Sequence, residues 1–134
     1  MTLRSPPRRL ARDCRGATIL EFALIAPVLL AMLLGIALLG IVFYAEAGLR
    51  STVEDAARYA TIWPRPSQAQ IAARMTSKQF GMDPANIVTP TITFNTTTTP
   101  YYVTITMGYN LTINYVLGSQ TIALSETRRA YVSS

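Results

Sequence analysis

One carboxylate, Glu21, stands at the head of an uncharged run of 24 residues from Phe22 to Ala45. A charge at the centre of a bilayer costs about 2.5–3.5 kcal/mol on insertion scales and less near the edge, so such a residue pairs with a cation or carries a function. Arg15 lies six residues back, on a poor face for a helical pair. A better cation appears if the chain is cut between Gly16 and Ala17. The new ammonium on Ala17 would then sit four residues, one helical turn, before Glu21. It would pair with Glu21 of its own chain or with Glu21 of a neighbouring helix, and the second pairing makes the buried charge a device for lateral assembly. A plainer reading is that Glu21 begins the helix, where a carboxylate suits the positive end of the helix dipole.

The rest of the chain offers little reaction chemistry. There is no histidine, which removes the commonest general base and metal ligand. Cys14 is the single cysteine, so no intrachain disulfide forms. Arg12 and Asp13 precede it where a lipoprotein would carry small residues, which argues against lipidation. The carboxylates beyond the apolar run are Glu46, Glu54, Asp55, Asp83 and Glu126, spread over helix-surface, turn and strand-end contexts. No metal-ligand spacing, glycine-rich phosphate loop or nucleophile elbow is present. An enzyme is not expected, and neither is a metal or cofactor. Arg128 and Arg129 suit either an acidic partner or a solvated strand end, with the second favoured. Asn95-Thr96-Thr97 and Asn110-Leu111-Thr112 match the glycosylation pattern, as chance matches do in a threonine-rich chain.

The charge distribution orients the chain. The whole 134-residue sequence has net charge +5 and a pI near 9.8, which taken alone suggests nucleic acid. Residues 1–16, however, hold Arg4, Arg8, Arg9, Arg12 and Arg15 against Asp13 alone, while the remainder is close to balance. The basicity belongs to the flank of the apolar run, where it is the positive-inside signal of a cytoplasmic N-terminus. Nucleic acid is not expected as a partner.

Three explanations compete for the run itself. As a helix it is roughly 36 Å long at about 1.5 Å per residue, enough to cross a hydrocarbon core of about 30 Å. A secretory signal has a shorter core, although Ala45-Glu46-Ala47 imitates a cleavage site. A plain anchor fits the length and leaves Glu21 without a reason, whereas a signal of the prepilin kind accounts for both. Pro27 removes one backbone hydrogen bond within the run. Gly35 and Gly40 are five apart rather than four, so they define no close-packing face.

These residues must be positioned by a helix that outlasts the apolar run. Ala45, Leu49, Val53, Ala56, Ala57 and Ala60 recur at three- and four-residue steps. Glu46 with Arg50 and Glu54 with Arg58 are acid-first pairs at helical spacing. One helix is expected from about Thr18 to Thr61, with Tyr44 at the membrane–water interface and Pro64 and Pro66 beyond its end. Ser67 should cap a second helix using Ile71, Met75 and Phe80 and stopped by Gly81, and Asp83-Pro84 marks a turn. From Ile87 the pattern has period two: Ile92 and Phe94, then Val103, Ile105, Met107 and Tyr109, then Leu111, Ile113 and Tyr115 share faces. Asn95–Pro100 reads as a loop, Gly118-Ser119 as a tight turn, and Ile122 and Leu124 open a last strand ending near Val132. The expectation is an α+β chain. Residues 1–16 form a basic cytoplasmic leader, 17–45 a transmembrane helix, and 46–134 an extracytoplasmic domain with a short second helix and three or four antiparallel strands.

Arg15-Gly16-Ala17-Thr18-Ile19-Leu20-Glu21-Phe22 resembles the cleavage signal of type IV prepilins, with its basic leader, glycine, four residues, glutamate and aromatic. The continuation through Ala23-Leu24-Ile25-Ala26-Pro27, with Gly35, Phe43-Tyr44 and Arg58-Tyr59-Ala60, is similar to the TadE-like minor pilins, or pseudopilins, of the Flp (Tad) pilus. The resemblance implies cleavage after Gly16 by a prepilin peptidase, with Glu21 and Phe22 serving assembly and the helix kept as a bacterial inner-membrane anchor. It further implies other pilins of the Tad system as partners, and a part in pilus biogenesis and adhesion, at the membrane or within a surface pilus. The competing readings are a single-pass anchor bearing an extracytoplasmic binding module and an accessory subunit of a secretion complex.

Overall fold

The computed structural model describes the backbone of residues 15–115 and 118–132, and side chains from Thr18 onward. Residues 1–14 of the leader, with Arg4, Arg8, Arg9, Arg12, Asp13 and Cys14, lie outside the described residues. The element order is a long helix α1 (Arg15–Ala60), a short helix α2 (Gln68–Ser77), a single 3-10 turn (Pro84–Asn86) and strands β1 (Ile87–Asn95), β2 (Tyr102–Tyr115) and β3 (Gly118–Tyr131). The α+β class, the second helix and the antiparallel sheet are those expected, and the sheet has three strands. The chain divides into two compact units, one ending at Ala37 and one spanning Leu38–Ser134.

In the first unit, Glu21 apart, α1 from Thr18 onward exposes apolar side chains around its circumference. Ile19, Leu20, Phe22, Leu24, Val28 and Met32 are all exposed, with Leu24 at 79%. A helix with no polar face and no protein cover is matched to lipid rather than to water, and α1 is long and apolar enough to cross a membrane. The helix continues through Pro27, whose missing N–H leaves the Ala23 carbonyl without its usual intrahelical donor.

In the second unit the same helix becomes one-sided. Ala45, Leu49, Val53, Ala56, Ala57 and Ala60 are all buried, the face that the three- and four-residue spacing defines. The core is completed by Ile71 and Met75 from α2 and by Val103, Ile105, Met107, Tyr109 and Leu111, the alternate residues of β2. β2 is the central strand, pairing with β1 through Ile92–Ile105 and Phe94–Val103 and with β3 through Val103–Ala130 and Tyr109–Leu124. The opposite sheet face carries threonines, among them Thr106 and Thr127, whose hydroxyls lie 3.0 Å apart across the strands. The register of β1 shifts between Val88 and Thr91. Pro90 sits in that gap, and having no N–H to give to the ladder it is tolerated at such an irregularity.

α2 starts where its cap chemistry dictates. The Gln70 amide donates to the Ser67 hydroxyl at 3.3 Å, and the Ser67 amide donates to the Gln70 side-chain carbonyl at 2.8 Å. This capping box satisfies two otherwise unpaired donors. The helix ends earlier than expected, at Ser77. Thr76 and Ser77 turn their hydroxyls back onto the carbonyls of Ala72 and Arg74, at 3.1 and 2.8 Å, a competition that weakens a last turn. Phe80 and Gly81 therefore lie beyond the helix. The hairpin differs too: Tyr115 pairs with Gly118 and Asn114 with Ser119, so Gly118 and Ser119 open β3 instead of forming the turn.

The candidate assembly helix and its outer domain

Gly16 and Ala17 lie in the first turn of α1, with Glu21 one turn further along. This spacing sets the Ala17 backbone nitrogen and the Glu21 side chain on one side of the helix. The amides of a first helical turn have no intrahelical acceptors, so opening the Gly16–Ala17 segment breaks few hydrogen bonds. Glu21 shares its surface with Leu20, Ala23 and Leu24. The neighbouring Phe22 ring is 71% exposed. Among the described residues the side-chain ion pairs are Glu54–Arg58, Asp55–Arg74 and Glu126–Arg128, and none involves Glu21. A carboxylate with apolar neighbours and no cation among the described residues is a group whose energy improves on meeting a positive charge.

In the outer domain three acid–base pairs form among the described residues, while the expected Glu46–Arg50 pair is not among them. Asp55 on α1 accepts two hydrogen bonds from Arg74 on α2, at 2.8 and 3.2 Å. This fork holds the Asp55 carboxyl below the usual carboxylate range, the hydrogen bond from Arg74 outweighing the opposing effect of burial. The Arg74 guanidinium also lies over the Tyr59 ring, 5.6 Å from its centroid. The acid-first spacing of Glu54 and Arg58 is realised as a 3.6 Å pair, largely in solvent.

Arg128 and Arg129 do not act together. Successive strand residues face opposite sides. Arg128 pairs with Glu126 at 3.0 Å, while Arg129 lies over the Tyr102 ring at 5.1 Å. The strand-end reading fits these partners better than an acidic-ligand clamp. Asn95 also has a local task, its side-chain carbonyl accepting from the amides of Thr97 and Thr98 at 3.2 and 3.4 Å to shape the loop before Pro100. Among the described residues no group of three or more histidine, cysteine, aspartate or glutamate side chains is placed to hold a metal ion.

One contact lay beyond sequence reasoning. Gly48 is buried in α1, and a Cβ there would collide with the Phe80 carbonyl. Gly81, at φ +67°, presses against the Tyr44 ring, where an added Cβ would stand 2.7 Å from a ring carbon. A lone glycine inside a strong helical pattern was the available signal, since it often marks a close backbone approach.

No curated protein and no solved structure matches the chain. Residues 16–58 match the model of the TadE-like protein family, so the chain is similar to that family through this helical segment.

Proposed function

We propose that the protein is a minor pilin of a Flp/Tad pilus, cleaved between Gly16 and Ala17 by a prepilin peptidase and assembled through Glu21. The match of residues 16–58 to the TadE-like family, whose members are Tad pilus-associated and pilin-like, supports a structural role. The observation that carries it is the placement of Glu21: a carboxylate without a cation among the described residues, in an otherwise apolar helical segment inside the matched region.

In this reading cleavage supplies the missing charge. The Ala17 ammonium stabilises Glu21 of its own chain in the monomer, or Glu21 of an adjacent helix during assembly. Phe22, beside Glu21 and exposed, supplies apolar contact to that neighbour. The leader stays in the cytoplasm, the helix anchors the chain in the bacterial inner membrane, and the outer domain lies on the far side. Other pilins and minor pilins of the Tad system and the surrounding lipid are the partners, with adhesion as the output of the finished pilus.

N-terminal sequencing of the membrane form tests the reading. A mature chain beginning at Ala17 is expected; an intact Met1, or a chain beginning at Gly48, would refute processing at this site. Gly16→Ala should be largely tolerated and a bulky residue there should block cleavage. Glu21→Ala should be cleaved normally and fail to assemble, and normal piliation in that variant removes the assembly role.

A further inference from the structure

The loop between α2 and β1 is held at one level of α1, and that level is where the apolar run ends. Three features of the outer domain fix it there. The Phe80 carbonyl closes on α1 where Gly48 has no side chain. Gly81 turns the chain with φ +67° against the Tyr44 ring. The Phe80 ring meets Tyr44 edge-on, with centroids 6.2 Å apart and planes at 64°. Yet Phe80 is not a core residue: it remains 45% exposed, beside Tyr44 at 59% and Phe43 at 64%.

The position of Tyr44 along the chain says what this aromatic pair meets. A hydrocarbon core of about 30 Å takes about 20 helical residues, which counted from Phe22 ends near Ile41. The headgroup layer beyond it is about 5–7 Å thick on each side, or some four residues of helix. On the anchor reading, and counted from Phe22, Val42 to Ala45 would fall in that layer, with Glu46 the first charge above it. Val42 already packs against the outer domain's core and Ala45 is buried in it, so the domain reaches down into this layer. Aromatic side chains are favoured at this depth.

We infer that Phe80, carried by the loop 78–82 and paired with Tyr44, seats the outer domain in the headgroup layer of the bilayer, giving it a second membrane contact beside its helix. The inference rests on the reading of α1 as a membrane anchor. The loop contributes an apolar ring to lipid and the two glycines set its height.

The test uses the full chain in phosphatidylcholine vesicles whose acyl chains are brominated either near the glycerol or near the methyl end. Trp63 is the only tryptophan and is highly exposed, past the end of α1, so the wild-type protein reports the far side of the domain. Phe80→Trp and Leu29→Trp, each with Trp63→Phe, report the loop and the apolar run. The Phe80→Trp emission should shift to shorter wavelength than that of Trp63, and glycerol-end bromines should remove the larger part of it. Leu29→Trp should be quenched more by methyl-end bromines. Emission from Phe80→Trp as unquenched as that of Trp63, with Leu29→Trp quenched, overturns the loop contact and leaves the anchor standing. A blue-shifted but unquenched Phe80→Trp means that protein rather than lipid covers the ring and overturns the lipid assignment. An unquenched Leu29→Trp overturns the anchor and this inference with it.

Discussion

Adding one methyl group to Gly48 separates two opposing effects. In an open helix Gly→Ala is stabilising by about 0.8–1.0 kcal/mol, because glycine loses more backbone freedom on folding. At Gly48 the new Cβ meets the Phe80 carbonyl, a backbone atom that cannot rotate away. Forcing a methyl into such a contact costs about 1–3 kcal/mol. Should the loop swing aside instead, the edge-on Tyr44–Phe80 contact is lost, at about 0.5–1.5 kcal/mol. The steric cost is the larger, so Gly48→Ala should be destabilised by about 1 kcal/mol net, the difference between these two ranges. Gly40 is the internal control, since nothing lies within 4 Å of a Cβ built there. For a domain of this size 1 kcal/mol moves the melting temperature by about 4–8 °C. Thermal unfolding of the full chain in detergent micelles, followed by circular dichroism, should therefore show Gly48→Ala melting several degrees below wild type and Gly40→Ala at or above it. Gly48→Val should be at least as damaging as Gly48→Ala. A Gly48→Ala protein stabilised as much as Gly40→Ala would refute the close approach of the loop to α1.

Other consequences can be measured in the same preparation. Ile105 is completely buried in the central strand, so Ile105→Ala should cost about 2–5 kcal/mol through lost contacts and a residual cavity. Removing the α2 cap with Ser67→Ala should cost about 0.5–2 kcal/mol, detectable as a lower denaturant midpoint with an unchanged slope. The Asp55 carboxyl has a lower pKa folded than unfolded, so its contribution is fully present above its unfolded value of about 3.9 and is lost as pH falls through the depressed folded value. Acid titration of stability should accordingly show a shallower fall in Asp55→Asn than in wild type over that window, and identical acid limbs would remove the fork with Arg74 from the account.

The end of α1, the burial stripe and the α2 capping box were legible in sequence because each depends on residues within one or two turns of one another. Ser67 and Gln70 satisfy each other at a spacing of three, and the face from Ala45 to Ala60 needs only helical geometry and an apolar cover. The alternation of Val103, Ile105, Met107 and Tyr109 exposed the central strand in the same way. Pairing was harder to read. Gly118-Ser119 has the composition of a turn, but the register joining Tyr115 to Gly118 draws both residues into β3, and register is set by cross-strand partners that local composition does not name. The fork between Asp55 and Arg74 joins residues on different helices, and the seat of Phe80 on Gly48 joins residues separated by the whole of α2. The candidate site divides along the same line. Glu21 was visible because a charge in an apolar run breaks a one-dimensional pattern, whereas Phe80 looked like an ordinary helix contact until the structure placed it beside Tyr44. The apolar run is encoded in consecutive residues, whereas the seat of loop 78–82 on α1 depends on a segment far along the chain and on the absence of a side chain at Gly48.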